Sequence, residues 1–198
     1  MSEYKFTKDW FNWAPEVWTQ LIPLLPARRK FLEIGSFEGR STVWIVENMM
    51  EDGGEVYCID TWEGGEEHGA ENMSEVEKRF RHNRKLLMDK YEDRHISTEK
   101  GTSLKCLAGW LTPSVVSNEV FDFIYIDGSH VAKDVLTDAC MAWPLLKPEG
   151  LMVFDDYMWG NPRDALHRPK IAIDAFTTIF GETAEIIHVG YQLVVRKK

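Results

Sequence analysis

The sequence predicts an α/β fold built on a doubly wound, seven-stranded sheet that is mostly parallel with an antiparallel C-terminal strand. Short apolar runs alternate with helix-like segments from residue 30 to residue 180, which is typical of a parallel sheet with helices on both faces. The last two apolar runs follow each other about Gly190 with no helix between them, so these strands must be antiparallel. A length of 198 residues suits one domain, and we predict a single domain over 1–198 with an N-terminal helical cap segment at 1–29.

The predicted elements follow in order along the chain. The strands are expected at 30–35, 55–60, 95–98, 121–127 and 150–156, followed by the closing pair within 184–198. The helices between them are expected at 41–50, 74–91, 103–111, 132–146 and 170–180. Ser74 and Glu77 have the spacing of a capping box at the start of the second helix. Pro144 is expected to end the fourth helix.

Composition limits the environment and the partners of the chain. The formal net charge of −9 disfavours non-specific binding to nucleic acid or to an anionic membrane. The chain shows neither a long apolar span nor a signal-peptide pattern. The cysteines are odd in number and widely spaced, at Cys58, Cys106 and Cys140, which indicates reduced thiols. We therefore expect a cytoplasmic protein that acts on a small molecule, without a membrane or nucleic-acid partner, and leave a homo-oligomer open.

Acidic residues stand at the ends of four predicted strands. They are Glu33, Asp60, Asp127 and the pair Asp155 and Asp156. In open α/β sheets the ligand binds beyond the carboxyl ends of the strands. Each acid alone fits an ordinary surface position, but together they are expected to converge on one crevice.

The turn after the first strand indicates which ligand this crevice holds. A dinucleotide site has the pattern G-x-G-x-x-G, whereas this turn reads Glu33-x-Gly35-x-x-x-Gly39, with Phe37 where the central glycine would approach a pyrophosphate. An acid before the turn repels phosphate and suits a cationic ligand. S-adenosylmethionine carries an ammonium and a sulfonium and no phosphate. Asp60 stands where an acid can accept from ribose hydroxyls. The alternative is that the glycines merely form a tight turn and that Asp60 is a solvated strand end.

Five stretches together resemble a known family. "FLEIGSFEG", "CIDTW", "KGTS", "FIYIDGSH" and "GLMVFDDY" resemble successive motifs of the class I S-adenosylmethionine-dependent methyltransferases, in order over nearly the whole chain. The antiparallel final strand is also a mark of that Rossmann-like fold. More narrowly, the chain is similar to the small metal-dependent O-methyltransferases akin to the macrolide-sugar O-methyltransferases. This resemblance implies methyl transfer to a hydroxyl of a small sugar-like or aromatic molecule.

The resemblance also implies which residues contact the cofactor. The turn beneath the methionine part would comprise Glu33, Gly35, Ser36, Phe37 and Gly39, with a further hydroxyl contact from Ser41. The ribose and adenine contacts would come from Asp60, Thr61, Trp62, Thr102 and Ser103, and Asp127 would close the cofactor site. The stretch "GTSL" after the third strand, which contains Thr102 and Ser103, is equally compatible with a simple helix N-cap.

The resemblance places a divalent metal, Mg²⁺ or another cation, on Asp127, Asp155 and Asp156, and a general base on His130 beside Asp127. A hard ion ligated by oxygen can bind both oxygens of a vicinal diol and lower the pKa of the hydroxyl. Three carboxylates are also more charge than a cavity holds comfortably without a cation. Histidine has an ordinary pKa near 6.5, which suits a base at neutral pH. The alternatives are that one aspartate caps a helix, that Asp156 faces solvent, and that His130 is loop surface.

Three further segments lie near the predicted site. The loops 61–75 and 157–169 are expected to act as lids that shape the acceptor pocket. The segment 9–25 is rich in aromatic residues and is predicted to pack over the sheet or to contact a second copy.

Two other functions remain open from the sequence. They are an N-methyltransferase, including one that acts on RNA, and a non-catalytic module that binds S-adenosylmethionine or a nucleotide. The N-methyltransferases that act on nucleic-acid bases often carry an Asn/Asp-Pro-Pro-aromatic tetrad after the fourth strand. This chain has Asp127-Gly128-Ser129-His130 there, which disfavours that alternative.

Overall fold

The computed structural model of the protein describes residues 3–65, 68–69, 71–111 and 120–198. Within these residues the strands are β1 (Lys30–Ile34), β2 (Glu55–Asp60), β3 (His95–Lys100), β4 (Phe121–Ile126), β5 (Leu146–Phe154), β6 (Ala184–Val189) and β7 (Leu193–Lys197). They form one seven-stranded sheet in the order β3-β2-β1-β4-β5-β7-β6. Strands β1 to β5 pair in parallel, and β7 is antiparallel to both of its neighbours. The predicted fold class is confirmed.

The α-helices are α1 (Ala14–Leu21), α2 (Arg40–Trp44), α3 (Met73–Lys90), α4 (Ser103–Trp110), α5 (Ala132–Ala142) and α6 (Lys170–Ile179). Two predicted helices differ from the structure. The first is α-helical only as far as Trp44 and continues as a π-helical turn over Ile45–Met49. The helix predicted at 132–146 ends at Ala142, because Pro144 lies in a 3₁₀ turn and Leu146 already begins β5.

The predicted capping box is wrong. Helix α3 begins at Met73 with Asn72 at the N-cap position, and the hydroxyl of Ser74 donates to Asn72 Oδ1 at 2.8 Å. The carboxylate of Glu77 instead forms ion pairs with Arg81 and Lys100, each at 2.6 Å. Glu77 therefore has cationic partners that the local capping pattern did not anticipate.

Two apolar layers cover the sheet, one on each face. Helices α4, α5 and α6 pack on one face, and α1, α2 and α3 pack on the other. In the second layer the ring of Trp18 is fully buried and meets the rings of Phe123 and Tyr125 edge-on at 5.1 and 4.8 Å. The packing interpretation of the aromatic N-terminal segment therefore holds for α1. None of the helices in the described part of the chain has both the length and the apolar character to cross a bilayer.

Candidate active site

A cleft of about 1200 Å³ opens at the carboxyl ends of β1, β2, β4 and β5. This volume exceeds the roughly 300–1,000 Å³ of an ordinary small-ligand site, so the cleft has room for a cofactor and an acceptor together. The predicted site residues that line it are Gly35, Ser36, Phe37, Ser41, Asp60, Thr61, Thr102, Ser103, Asp127, His130, Asp155 and Asp156.

The turn after β1 packs closely against the end of β4. Gly35 has φ +86°, and a Cβ added there would lie 2.0 Å from the carbonyl oxygen of Asp127. Gly39 has φ +80° at the start of α2, and its N–H donates to Ser36 O at 2.7 Å. Both positions therefore need glycine, the first because of close backbone approach and both because of the left-handed conformation.

Asp60 holds the turn as well as facing the cleft. Its Oδ2 accepts the backbone N–H groups of Ser36 and Phe37, both at 2.8 Å. Its Oδ1 accepts the N–H of Trp62 at 2.6 Å. These contacts keep Phe37 at φ +48°, in the left-handed region that non-glycine residues seldom occupy. The sequence predicted a ribose-binding carboxylate here and did not anticipate that the same carboxylate orders the turn.

Glu33 and Trp62 lie beneath the cleft surface. Glu33 is fully buried, and its Oε2 accepts the hydroxyls of Ser36 and Thr42 at 2.6 and 2.5 Å. Burial raises the pKa of Glu33. The indole of Trp62 donates to Phe37 O at 2.9 Å. These two side chains support the turn from below and are not part of the cleft wall among the described residues.

A buried acid that the sequence analysis missed lies at the other end of the cleft. Asp138 on α5 is almost fully buried, and its Oδ1 accepts the hydroxyl of Ser103 at 2.5 Å. Burial raises the pKa of Asp138 to about 6. The sequence offered one signal for this buried acid: Asp138 lies on the same helix face as the apolar residues Val135, Ala139 and Ala142. Thr102 is the N-cap residue of α4 but makes no side-chain capping hydrogen bond, so its hydroxyl does not satisfy the simple capping interpretation.

Three aspartates crowd the tips of β4 and β5. The hydroxyl of the buried Tyr125 lies between them, 3.0 Å from Asp127 Oδ2 and in hydrogen-bond contact with Asp155 Oδ2. Desolvation raises the pKa of Asp127 well above its usual range, and the charges of Asp155 and Asp156 raise it further. Desolvation and the charge of Asp156 raise the pKa of Asp155 to about 6. The negative charges of the three aspartates are therefore not balanced by positive charge within the cluster.

Asp156 and His130 complete the cluster. Asp156 has φ +54°, and its Oδ1 accepts the hydroxyl of Tyr191 at 2.8 Å. Its Oδ2 lies 2.6 Å from Nε2 of His130, whose ring is 4.1 Å from that of Trp159 between centroids. Asp127, His130 and Asp156 each offer one ligand atom, and these atoms lie within 4.8 Å of one another.

The side chains present fit a divalent cation, and two of the three aspartates predicted as ligands, Asp127 and Asp156, converge with His130. Carboxylate oxygens suit Mg²⁺ and Mn²⁺, whereas an imidazole donor suits Zn²⁺, Fe²⁺ and related transition-metal ions. The Asp155 carboxylate is oriented by other groups, since Oδ1 accepts the N–H of Asp156 at 2.7 Å and Oδ2 accepts the side-chain amide of Gln192 at 3.1 Å. A cation would relieve the repulsion that raises the pKa values of Asp127 and Asp155.

The remaining walls of the cleft come from the segments expected to act as lids. From the loop 61–75, of which residues 66–67 and 70 lie outside the described residues, the cleft is lined by Thr61, Gly64, Gly65, His68 and Met73. The loop 157–169 contributes Trp159, Asn161, Asp164 and His167. The segment 9–25, predicted to pack over the sheet or to contact a second copy, also lines the cleft through Asp9, Trp10, Phe11 and Trp13, and Lys8 precedes it there.

Comparison with known families decides the kind of protein to which this site belongs. A family model described as a methyltransferase domain matches residues 32–157, from β1 to the loop after β5. The chain belongs to this methyltransferase family. The resemblance to the class I methyltransferases inferred from the sequence motifs is confirmed.

A curated relative carries a more specific description. The O-methyltransferase hkm8 of Aspergillus hancockii is 26% identical to this methyltransferase over 139 residues, which is 70% of this chain and 47% of the relative. The chain thus spans about half the length of the curated relative that it matches.

Solved structures share the fold with this methyltransferase. The O-methyltransferase from Bacillus cereus in complex with S-adenosylhomocysteine matches with a TM-score of 0.64 at 20% identity, over 99% of this chain and 84% of that chain. MycE of the mycinamycin biosynthetic pathway, in complex with Mg and S-adenosylhomocysteine, matches with a TM-score of 0.58 at 19% identity, over 98% and 51% of the two chains. A putative rRNA methylase from Clostridium thermocellum matches with a TM-score of 0.64 at 11% identity, over 98% of this chain and 100% of that chain. At these identities the likeness establishes the fold and leaves the acceptor to be argued from the site.

Proposed function

We propose that this methyltransferase transfers the methyl group of S-adenosylmethionine to a hydroxyl oxygen of a small sugar-like or aromatic molecule, with a divalent cation, Mg²⁺ in the first instance. The observation that carries the proposal is the convergence of Asp127, His130 and Asp156 within 4.8 Å at the strand tips of the cleft. The O-methyltransferase relative and the MycE complex with Mg support the same assignment.

The cofactor half of the cleft lies along β1, β2 and α4. The turn of Gly35, Ser36, Phe37 and Gly39 would support the methionine part, with Glu33 beneath it and the Ser41 hydroxyl beside it. Asp60 would accept from the ribose hydroxyls, and Thr61, Thr102 and Ser103 would surround the adenine. When bound there, S-adenosylmethionine supplies an electrophilic methyl group. The protein contributes position, because a methyl transfer needs the acceptor oxygen in line with the methyl group.

The acceptor half of the cleft lies along β4 and β5. Asp127 and Asp156, with Asp155 beside them, would hold the divalent cation, which lowers the pKa of a hydroxyl that it binds. A vicinal diol or catechol suits such a site, since both of its oxygens can reach one cation. Aromatic rings line this half as well: Trp13 meets Tyr191 edge-on at 4.8 Å, and Trp159 lies against His130. Flat walls of this kind suit an aromatic ring or the apolar face of a sugar.

Two roles for His130 follow from its position. As a general base it would accept the hydroxyl proton at Nδ1, because Nε2–H donates to Asp156 and so orients the ring. As a ligand it would complete the set of donors with Asp127 and Asp156. We favour the base, because Mg²⁺ prefers oxygen ligands to an imidazole. The two roles predict different effects of replacing His130 on rate and on metal affinity.

Methylation of RNA is the weaker alternative, although the fold is shared with a putative rRNA methylase. Binding to RNA relies on cationic side chains that neutralise phosphates. The chain has a net charge of −9, and its candidate site ends in a cluster of three aspartates. A non-catalytic binding module would have no need of a histidine and two acids converging beside the cofactor cleft.

The proposal is tested with S-adenosylmethionine labelled with ¹³C at the methyl group. The protein is incubated with a panel of catechols and sugar diols, in EDTA and again with excess Mg²⁺, and the product methyl is identified by NMR. We expect a methyl group on oxygen that forms with Mg²⁺ and not in EDTA. A methyl group on nitrogen, or turnover unchanged in EDTA, would contradict the acceptor or the metal part of the proposal, respectively.

A further inference from the structure

The hairpin between β6 and β7 reaches the two aspartates that follow β5. In the antiparallel pair, Phe154 lies opposite Leu193. Continuing that register past the strand ends sets Asp155 opposite Gln192 and Asp156 opposite Tyr191. The contacts follow this order, since Gln192 Nε2 donates to Asp155 Oδ2 at 3.1 Å and the Tyr191 hydroxyl donates to Asp156 Oδ1 at 2.8 Å.

The orientation of the Gln192 amide is set by Trp18 of α1. The indole N–H of Trp18 donates to Gln192 Oε1 at 2.8 Å, and both side chains are fully buried. An indole nitrogen is only a donor, so the amide oxygen must face Trp18. The amide NH₂ group must then face the carboxylate of Asp155.

We propose that Gln192 is a positioning residue for the metal-binding carboxylates and that Trp18 acts through it. The inference rests on the proposed function, which assigns a divalent cation to this cluster. Gln192 holds Asp155 Oδ2, and Asp155 Oδ1 in turn accepts the N–H of Asp156. That contact stabilises the left-handed backbone of Asp156, whose Oδ2 lies against His130.

This arrangement gives the aromatic N-terminal segment a role in the chemistry. Trp18 has no exposed surface and is not among the residues that line the cleft. Loss of its N–H should therefore alter the metal site by releasing the amide of Gln192. The ring of Trp18 also meets that of Tyr125 at 4.8 Å, so Trp18→Phe is interpreted together with Gln192→Met. In Trp18→Phe the amide loses the partner that fixes its oxygen, so its hydrogen bond to Asp155 is held less firmly.

The test measures Mn²⁺ affinity by calorimetry in the full chain, together with S-adenosylhomocysteine affinity in the same samples. We expect Gln192→Met, which is close in size, and Trp18→Phe each to weaken Mn²⁺ binding by about 10- to 100-fold, the range for partners that orient metal ligands. The double variant should be no weaker than Gln192→Met alone, because both changes remove the same hydrogen bond to Asp155. S-adenosylhomocysteine affinity should stay unchanged.

Trp143→Phe is the matched control, since Trp143 is a buried indole in the layer on the opposite face of the sheet. It should leave Mn²⁺ affinity at the wild-type value. Unfolding in urea establishes that each variant is folded, and if Trp18→Phe does not fold, Gln192→Met alone decides the role of Gln192. Wild-type Mn²⁺ affinity in Gln192→Met, or effects that multiply in the double variant, overturns the inference and leaves the proposed function standing. A wild-type protein that binds no Mn²⁺ overturns the metal part of the proposed function, and the inference with it.

Discussion

Nε2 of His130 lies 2.6 Å from Oδ2 of Asp156, although the two residues follow different strands. His130 enters the cleft from the loop after β4, and Asp156 stands beyond β5 with a left-handed backbone. The contact gives the imidazole a fixed orientation at the edge of the acid cluster. In that orientation the imidazole can act either as a general base or as a ligand of a cation, and the first prediction separates these two roles.

The first prediction concerns His130. If its neutral imidazole takes the proton from the hydroxyl of the methyl acceptor, the rate at saturating substrates should rise with pH and then level off, because histidine ordinarily titrates near neutrality. His130→Gln should lower the rate about 100- to 10,000-fold and abolish that rise, with little change in Mn²⁺ affinity. The measurement is the pH–rate profile of both proteins, with Mn²⁺ calorimetry alongside. A retained rise, or a loss of Mn²⁺ affinity that accounts for the lower rate, would remove the base role.

The second prediction concerns Asp60. Asp60→Ala should weaken S-adenosylhomocysteine binding by about 1–3 kcal/mol, because a charged acceptor for the ribose hydroxyls is lost. The loss should be larger than in Asp60→Asn, since alanine also leaves the N–H groups of Ser36 and Phe37 without their acceptor. Calorimetry measures both variants. Asp52→Asn, at an exposed acid paired with Arg94, is the control and should bind like the wild type.

The third prediction separates two reasons for the glycine at position 35. Gly35→Ala is expected to be destabilised for two reasons: the backbone is left-handed, and the added Cβ would lie 2.0 Å from Asp127 O. Gly53→Ala has the same backbone problem at φ +75°, but its Cβ meets only Arg29 Nη1 at 3.5 Å. We expect Gly53→Ala to cost about 1 kcal/mol of unfolding free energy, and Gly35→Ala about 1–3 kcal/mol more. Equal costs in urea unfolding would show that the turn moves away from β4 without penalty.

The fourth prediction concerns how Asp138 makes the stability of the folded protein depend on pH. Burial raises its pKa from the ordinary 3.8 to about 6, so between these pH values the folded state binds a proton that the unfolded state has released. Its contribution to stability is therefore present below pH 4 and lost as the pH rises through 6. In Asp138→Asn the stability relative to wild type should increase by about 2 kcal/mol from pH 4 to pH 7.

Urea unfolding across that pH range checks the Asp138 prediction. Asn can still accept the hydroxyl of Ser103, so the comparison isolates the charge. Asp89→Asn, at an exposed acid paired with Lys85, should show no such change with pH. A constant difference between Asp138→Asn and wild type would mean that Asp138 ionises as freely in the folded protein as in the unfolded one.

Much of the site was predictable, because parallel strands bring their carboxyl ends to one edge of the sheet. Asp60, Asp127 and Asp155 follow apolar strands, so their convergence could be inferred without knowing any distance. The parallel pairing of β1 to β5 and the antiparallel end of the sheet were predictable from the alternation of elements and from its break around Gly190.

The residues that the sequence analysis missed depend on contacts between distant segments. Gln192 meets Asp155 because of the antiparallel register between β5 and β7, which the sequence pattern does not specify. Asp138 reaches Ser103 only because α5 packs against α4. Trp62, expected beside the adenine, has a left-handed backbone, and its ring packs against that of Phe80 on α3 at 4.8 Å, a contact between distant segments.

Whether one cleft holds both S-adenosylmethionine and a divalent cation can be tested before any acceptor is known. Mn²⁺ is titrated into the protein carrying S-adenosylhomocysteine while the proton NMR signals of the bound ligand are followed. We predict that Mn²⁺ broadens the signals of the methylene groups next to sulfur, that excess Mg²⁺ reverses the effect, and that Asp127→Asn with Asp156→Asn abolishes it. S-adenosylhomocysteine that binds but keeps sharp signals at saturating Mn²⁺ would contradict the account.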